Sequence, residues 1–125
     1  DMVQSRGLGD VYKRQTNMFS ENEFKIMKES AFLINCARGG IINEVALLDA
    51  LKSNKIRAAG LDVFDDEPST SSNPLFSLDN ILLSPHIAGV TQEATIRMSK
   101  QAVQNVLDVF DDKVDPEVII NKNVL

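Results

Sequence analysis

The chain has 125 residues, 43% of them hydrophobic, which is typical of one folded domain or part of one rather than of a disordered segment. Its net charge of -5, from 18 acidic and 13 basic residues, disfavours a nucleic-acid partner, because such surfaces are rich in basic residues. A single cysteine excludes an internal disulfide, and no apolar stretch is long enough to span a membrane, so we expect a cytoplasmic protein with no membrane partner.

The first 15 residues do not fit the pattern of the rest of the chain. They sustain neither a helical nor a strand period, and Asp10 to Gln15 resembles the translation of a transposon end used in preparing sequencing libraries. Gly7 and Gly9 do not predict a dinucleotide-binding loop, because no strand precedes them and Tyr12 stands where the third glycine is required. We therefore expect residues 1–15 to be a non-native leader.

From Ser20 onward the sequence becomes regular. Ser20 and Glu23 have the spacing of a capping box and predict a helix that continues to about Lys28. Phe24 and Met27 would face the core from this helix.

Three short apolar runs predict parallel strands, and the first of these strands is expected to be buried on both faces. They cover residues 31–36, 56–63 and 81–84, and a helix from Asn43 to about Ser53 separates the first two. The apolar stripe of this helix comprises Val45, Leu47, Leu48 and Leu51. A strand, a helix and a strand within about 30 residues form a βαβ unit, so we predict an α/β fold with a parallel sheet.

The last part of the chain is predicted to be a loop, a strand and a long helix. Residues 65–80 are rich in turn-forming residues, and the apolar segment 74–76 can anchor this loop. Thr91 can cap an amphipathic helix that continues to about Asp111. At about 1.5 Å per residue this helix is about 30 Å long, which is enough to connect two domains.

Three polar residues follow the ends of the three predicted strands. Arg38 comes after the first strand, Glu67 after the second and His86 after the third. Open α/β sheets bind ligands at the carboxyl edge of their strands, so we expect these side chains to gather there. A cation, a carboxylate and an imidazole suit the oxidation or reduction of a small anionic substrate.

His86 is the only histidine and the predicted acid–base group. An imidazole titrates near neutral pH, so it can exchange a proton with an alkoxide oxygen. Glu67 can pair with it, which fixes the tautomer and stabilises the protonated ring. The alternatives are a loop histidine held by the backbone and a solvated acid beside Asp65 and Asp66.

Three further predictions concern the first two strand ends. The guanidinium of Arg38 can bind a substrate carboxylate through two parallel hydrogen bonds, or it can form a surface ion pair. Asp62 can accept a hydrogen bond from a nicotinamide carboxamide, or it can cap a neighbouring backbone group. Cys36 has no second cysteine to form a metal site with, so we expect an apolar wall residue and no metal.

Three ordered segments carry a resemblance to a known family. They are Leu-Ile-Asn-Cys-Ala-Arg-Gly-Gly at 33–40, Ala-Gly-Leu-Asp-Val-Phe-Asp-Asp-Glu-Pro at 59–68 and Ser-Pro-His-Ile-Ala-Gly at 84–89. Together they resemble the D-isomer-specific 2-hydroxyacid dehydrogenases over about residues 16–125. The Asn-Cys-Ala-Arg-Gly-Gly segment is most similar to the D-3-phosphoglycerate dehydrogenase branch.

The resemblance implies a fold, a reaction and a set of roles. The fold is the carboxyl-terminal half of a Rossmann-like domain over residues 16–90, and residues 91–125 are a linking helix and tail that lead back to a substrate domain. The implied enzyme is a homodimer that uses NAD on a small 2-hydroxy or 2-oxo acid. Arg38 binds the substrate carboxylate, Glu67 supports the histidine, and His86 is the acid–base group. The implied NAD contacts are Cys36, Ala37, Arg38, Asp62, His86 and Gly89.

The sequence also departs from the family pattern. The glycine-rich phosphate loop is absent, so we predict that this chain alone neither binds NAD tightly nor turns over substrate. Asn43 stands where aspartate is usual, and it caps a helix about equally well. The alternatives are a hydroxypyruvate or glyoxylate reductase of the same family, an NAD-sensing scaffold similar to corepressors, and an inert fragment. Glu67 disfavours formate dehydrogenase, which has glutamine beside its histidine.

Overall fold

The computed structural model describes residues 15–121. The chain divides into two compact units, one that ends at Ala88 and one that begins at Gly89, and each is described by itself. The predicted leader lies almost entirely outside the described residues, as do the last four residues of the tail.

The first helix, α1, spans Glu21–Ile26 and begins at the predicted capping box. The backbone N–H of Ser20 donates to the Glu23 carboxylate at 2.9 Å, which satisfies one free donor at the helix start. The helix ends two residues earlier than predicted. Phe24 is buried and Met27 packs against the core, as their spacing predicts.

Three parallel strands form the sheet, in the order β1-β2-β3. They span Phe32–Asn35, Ala58–Leu61 and Ile81–Leu83, and each is shorter than the apolar run that predicts it. Helix α2, Glu44–Lys52, connects β1 to β2, and the side chain of Asn43 caps it by accepting from the Ala46 N–H at 2.9 Å. The predicted α/β class and parallel pairing are therefore confirmed.

The two faces of this sheet differ in a way that the sequence analysis did not predict. Both α1 and α2 contribute to one core cluster with Ala59 and Leu61 on one face. On the other face Phe32, Ile34 and Leu82 are 69%, 73% and 78% exposed. The expectation that the first strand is buried on both faces is wrong within this unit, because the described helices of the unit supply only one covering layer.

Helix α2 shows a second correction. Leu47 and Leu51 are buried and Leu48 is partly buried, as predicted, but Val45 is 70% exposed. The inward positions of this helix are taken instead by small side chains that belong to the core cluster. The buried small residues are Ala46 and Ala50.

The loop after β2 is anchored as its apolar segment predicts. A short 3-10 helix, Pro74–Ser77, buries Leu75. The ring of Phe76 meets the ring of Phe64 edge to face, with 5.6 Å between centroids. This contact ties the loop to the backbone that carries the acidic residues after β2.

The second unit consists mainly of helix α3, Gln92–Phe110, which is capped by the predicted Thr91. The Thr91 hydroxyl accepts from the Ala94 N–H at 3.1 Å. None of the helix residues is buried, and a second 3-10 turn follows at Pro116–Val118. Among residues 15–121, no helix has the length and hydrophobicity to cross a membrane.

Candidate active site at the carboxyl edge of the sheet

The strand ends place two of the three predicted catalytic residues in direct contact. Nδ1 of His86 lies 2.7 Å from the Glu67 carboxylate, although 19 residues separate them in the sequence. The other Glu67 oxygen accepts from the Phe64 backbone N–H at 2.9 Å. Both side chains remain accessible, at 48% for His86 and 35% for Glu67. The pair is therefore both oriented and open to a ligand.

The electrostatics of the pair fix which nitrogen of the ring carries a proton. The hydrogen bond from His86, followed by the Phe64 N–H, holds the pKa of Glu67 below its usual value. An ionised carboxylate can only accept, so Nδ1 of His86 must be the donor. Nε2 makes no hydrogen bond to any residue from 15 to 121, so it is the nitrogen available to a substrate.

Asp62 holds the turn that carries His86. It is 3% exposed, and three donors of the chain itself engage its two oxygens. The Ser84 hydroxyl donates at 2.6 Å, the Ile87 N–H at 2.8 Å and the Ala88 N–H at 2.9 Å. The Ser84 hydrogen bond and the two backbone bonds lower the pKa of Asp62, against the opposing effect of burial.

The backbone at His86 adopts a conformation that needs this support. Its φ is 56°, in the left-handed region that residues other than glycine rarely occupy. Such conformations cost free energy and persist where the surroundings hold them. The Asp62 carboxylate accepts hydrogen bonds from the backbone N–H groups of the two residues that follow His86, so it stabilises this turn directly.

Asn35 holds the loop that carries Arg38 in the same manner. Its side-chain oxygen accepts from the Ala37 N–H at 3.0 Å, and its amide donates to the Arg38 carbonyl at 2.9 Å. Arg38 itself is exposed, and its guanidinium donates to the Ala37 carbonyl at 2.7 Å. Its positive charge is one of the smaller causes that lower the pKa of Glu67.

Arg38, Glu67 and His86 line one surface depression of about 380 Å³, which also includes the backbone at Phe64. A neighbouring pocket of about 540 Å³ shares Glu67 and His86 and has mainly apolar walls. The structure thus brings the three predicted catalytic residues together at the edge where the sequence places them. A cation, an ion-paired imidazole and an adjoining apolar pocket can bind a small organic anion and exchange a proton with it.

The residues predicted to contact NAD differ in exposure and in the unit to which they belong. Cys36, Ala37 and Arg38 form the exposed turn after β1, and the free thiol of Cys36 is exposed rather than part of a wall. Asp62 is buried, and its oxygens are engaged by the chain. Gly89 opens the second unit and is described with it. No cluster of metal-binding side chains occurs in the part of the chain that the structure describes.

Sequence reasoning missed the two residues that support this site. Asn35 and Ser84 stand in the segments 33–40 and 84–89, but the sequence assigns no role to either of them. Both are polar residues at the carboxyl end of a strand, where a side chain shielded from water needs a hydrogen-bond partner. That position is the available signal, although it does not identify the partner.

Comparisons with known proteins identify the family of this chain. The family model described as "D-isomer specific 2-hydroxyacid dehydrogenase, NAD binding domain" matches residues 11–88. A glyoxylate reductase of Thermofilum pendens is 41% identical over 90% of this chain and 33% of its own length. A D-3-phosphoglycerate dehydrogenase of Archaeoglobus fulgidus is 37% identical over 78% of this chain and 18% of its own length.

A solved structure shows the same fold. It is a D-isomer specific 2-hydroxyacid dehydrogenase of Lactobacillus delbrueckii ssp. bulgaricus in its NAD complexed form. This structure is 30% identical, has a TM-score of 0.74, and covers 86% of this chain and 37% of its own length. The predicted Rossmann-like fold and NAD cofactor are thus confirmed, although the chain spans only about a third of the length of the glyoxylate reductase. The chain belongs to the D-isomer specific 2-hydroxyacid dehydrogenase family, and the matched segment is that family's NAD-binding domain.

Proposed function

We propose that these residues are part of an oxidoreductase that uses NAD to interconvert a 2-oxo acid and a D-2-hydroxy acid. The observation that carries the proposal is the 2.7 Å contact between His86 and Glu67, in a depression that Arg38 also lines. We use the term parent enzyme for a protein of the relatives' length that contains this segment. Its assembly as a homodimer and its cytoplasmic location belong to the same proposal.

Each of the three residues has one role in this reaction. The guanidinium of Arg38 turns from the Ala37 carbonyl to the substrate carboxylate and orients the reacting carbon. Nε2 of His86 donates a proton to the carbonyl oxygen in the reducing direction and takes it back in the oxidising direction. Glu67 stays ionised and stabilises the imidazolium form of His86. The bound cofactor supplies or accepts the hydride.

The residues at the carboxyl edge of the sheet suit the nicotinamide end of NAD. The exposed turn of Cys36, Ala37 and Arg38 lies at the carboxyl edge, where open sheets receive a nicotinamide nucleotide. Asp62 keeps about one free acceptor position after its three hydrogen bonds, which a carboxamide could use. Residues 15–121 include no glycine-rich loop that opens a helix, so the pyrophosphate needs residues from elsewhere.

Two substrate assignments remain within this reaction class. The sequence analysis favoured 3-phosphoglycerate, through the likeness of the first motif. The 41% identity to a glyoxylate reductase, against 37% to a D-3-phosphoglycerate dehydrogenase, supports reduction of glyoxylate or hydroxypyruvate at least as well. We therefore propose a small 2-oxo acid of two or three carbons as the substrate to test first.

A turnover assay tests the proposal. The parent enzyme is supplied with NADH and, in turn, glyoxylate, hydroxypyruvate and 3-phosphohydroxypyruvate, and NADH consumption is followed. We expect turnover with at least one acid and a fall of about 10² to 10⁴ in kcat for His86→Gln. Absence of turnover with every acid, alongside NAD binding, would instead support the scaffold that senses the nucleotide.

A further inference from the structure

The loop after β1 and the loop after β2 meet at the backbone of Phe64 and Asp65. The Gly40 N–H donates to the Asp65 carboxylate at 2.7 Å, across 25 residues of sequence. A methyl group at Gly39 would lie 1.8 Å from the Phe64 carbonyl oxygen, so the two backbones are in close contact there. The φ of Gly40 is 77°, which favours glycine.

Asp65 is also held from its other side. Its own backbone N–H donates to the Glu44 carboxylate at 2.8 Å. The second oxygen of Glu44, at the start of α2, accepts from the Asn73 amide at 3.0 Å. We call Gly40, Glu44 and Asp65 the loop latch, because their hydrogen bonds join the Arg38 loop, the start of α2 and the Glu67 loop.

The three consecutive acids after Phe64 have different partners. Asp65 accepts from Gly40 in the Arg38 loop, and Glu67 accepts from Phe64 and contacts His86. Asp66 is exposed and borders the same depression, and it has no hydrogen bond to the part of the chain that the structure describes. Only one of the two aspartates therefore connects the substrate-binding loop to the acid–base pair.

We propose that Asp65 is a positioning residue that sets the place of Arg38 relative to Glu67 and His86, and so determines how well the site binds a 2-oxo acid. The inference rests on the proposed function. Arg38 lies two residues before Gly40, so releasing the Gly40 N–H frees the loop that presents the guanidinium. The Glu67–His86 contact does not involve the latch, so proton transfer is left intact.

The hydrogen bond that Asp65 makes to Gly40 and the negative charge of Asp65 predict opposite changes in KM when the side chain is truncated. The charge alone repels an anionic substrate, so its removal should lower KM or leave it unchanged. Loss of the latch instead misplaces Arg38, which weakens substrate binding and raises KM. Asp65→Ala and the matched control Asp66→Ala remove the same charge from neighbouring exposed positions, and only the first removes the acceptor for Gly40.

Steady-state kinetics of the parent enzyme carry the first test. We expect Asp65→Ala to raise KM for the 2-oxo acid about tenfold, the scale of a lost charge-assisted hydrogen bond, with kcat and its pH profile unchanged. KM should not rise in Asp66→Ala. Asp65→Asn should restore most of the wild-type KM, because its amide oxygen still accepts from Gly40. An equal KM in Asp65→Ala and Asp66→Ala would overturn the proposal.

Amide hydrogen exchange at Gly40 gives a second test that does not depend on turnover. Exchange at this N–H should be faster in Asp65→Ala than in wild type, and should stay slow in Asp66→Ala and Asp65→Asn. Unchanged exchange in Asp65→Ala would contradict the latch even if the enzyme is active. If the wild type turns over no acid, the proposed function fails while the exchange measurement still decides whether the latch exists. Asp65 is exposed, so its truncation should not unfold the protein.

Discussion

Asp62 and Glu67, two of the four acids in the segment 62–67 that follows β2, have the same chemistry and different surroundings. Asp62 lies at the strand end, almost fully buried, and three donors of its own chain engage its oxygens. Glu67 lies five residues further on, is partly exposed, and faces an imidazole. The pKa of each is lowered, that of Asp62 chiefly by the Ser84 hydroxyl and that of Glu67 chiefly by His86.

The different surroundings of Asp62 and Glu67 indicate that one carboxylate holds the backbone at this edge of the sheet and that the other orients the His86 ring. A carboxylate that accepts three hydrogen bonds from its own chain fixes the backbone and keeps about one acceptor position for a ligand. A carboxylate that orients a titratable ring leaves that ring free to react. We therefore propose that Asp62 supports the turn of His86 and that Glu67 supports the proton transfer. The predictions below test this division, from the largest expected effect to the smallest.

The largest effect should come from Glu67→Gln in the parent enzyme. Glutamine keeps the size of the side chain but cannot stabilise an imidazolium by charge, so kcat should fall about 10²-fold, the low end for acid–base groups. The urea unfolding midpoint should hardly change, because the pair is partly exposed. Glu29→Gln, at an exposed acid before β1, is the matched control. A kcat within a fewfold of the wild-type value would show that Glu67 has only a structural role.

Asp62→Asn should have a smaller effect on turnover and a larger one on stability. Asparagine has one acceptor oxygen instead of two, so at least one donor among Ser84, Ile87 and Ala88 loses its partner. We expect a lower urea midpoint at an unchanged m-value and a kcat reduced about tenfold through loss of the His86 turn. An unchanged midpoint with a large fall in kcat would show that Asp62 acts on the substrate or the cofactor.

The smallest effect is a dependence of stability on pH. Because both pKa values are lowered in the folded chain, the unfolded chain binds more protons between the folded values and the ordinary values of 3.8 and 4.5. The stabilisation is therefore complete above the ordinary values and is lost as pH falls through the lowered ones. Urea midpoints measured from pH 7 downward should show the gap between wild type and Asp62→Asn narrowing in acid. A gap that widens there would contradict the lowered pKa.

The fold was predictable wherever a local rule decides the structure. Asn43 and Thr91 cap helices because their side chains accept from nearby backbone, and this depends on a few residues only. The three apolar runs also predict their strands from a few neighbouring residues. Because these strands pair in parallel, their carboxyl ends share the edge at which Arg38, Glu67 and His86 meet.

The remaining features depend on contacts that a one-dimensional pattern does not contain. Phe32 and Ile34 satisfy the pattern of a doubly buried strand, and their exposure depends on which elements cover the sheet. Val45 matches the apolar stripe of its helix, yet it is exposed, and Ala46 and Ala50 of the same helix are buried in the core instead. The hydrogen-bond partner of Asp65 is Gly40, which is 25 residues away in the sequence. The acidic run at 65–67 therefore does not indicate that Asp65 and Asp66 have different partners.

Nitrogen NMR of the His86 ring tests the central assignment most directly, since the chain has a single histidine and its ring signals need no separation. In the neutral ring we expect the proton to lie on Nδ1, which is hydrogen-bonded to Glu67, and Nε2 to carry no proton. This preference should be lost in Glu67→Gln and kept in Asp66→Asn. A wild-type ring with its proton on Nε2 would contradict the account, because Glu67 would then not orient the group that transfers the proton.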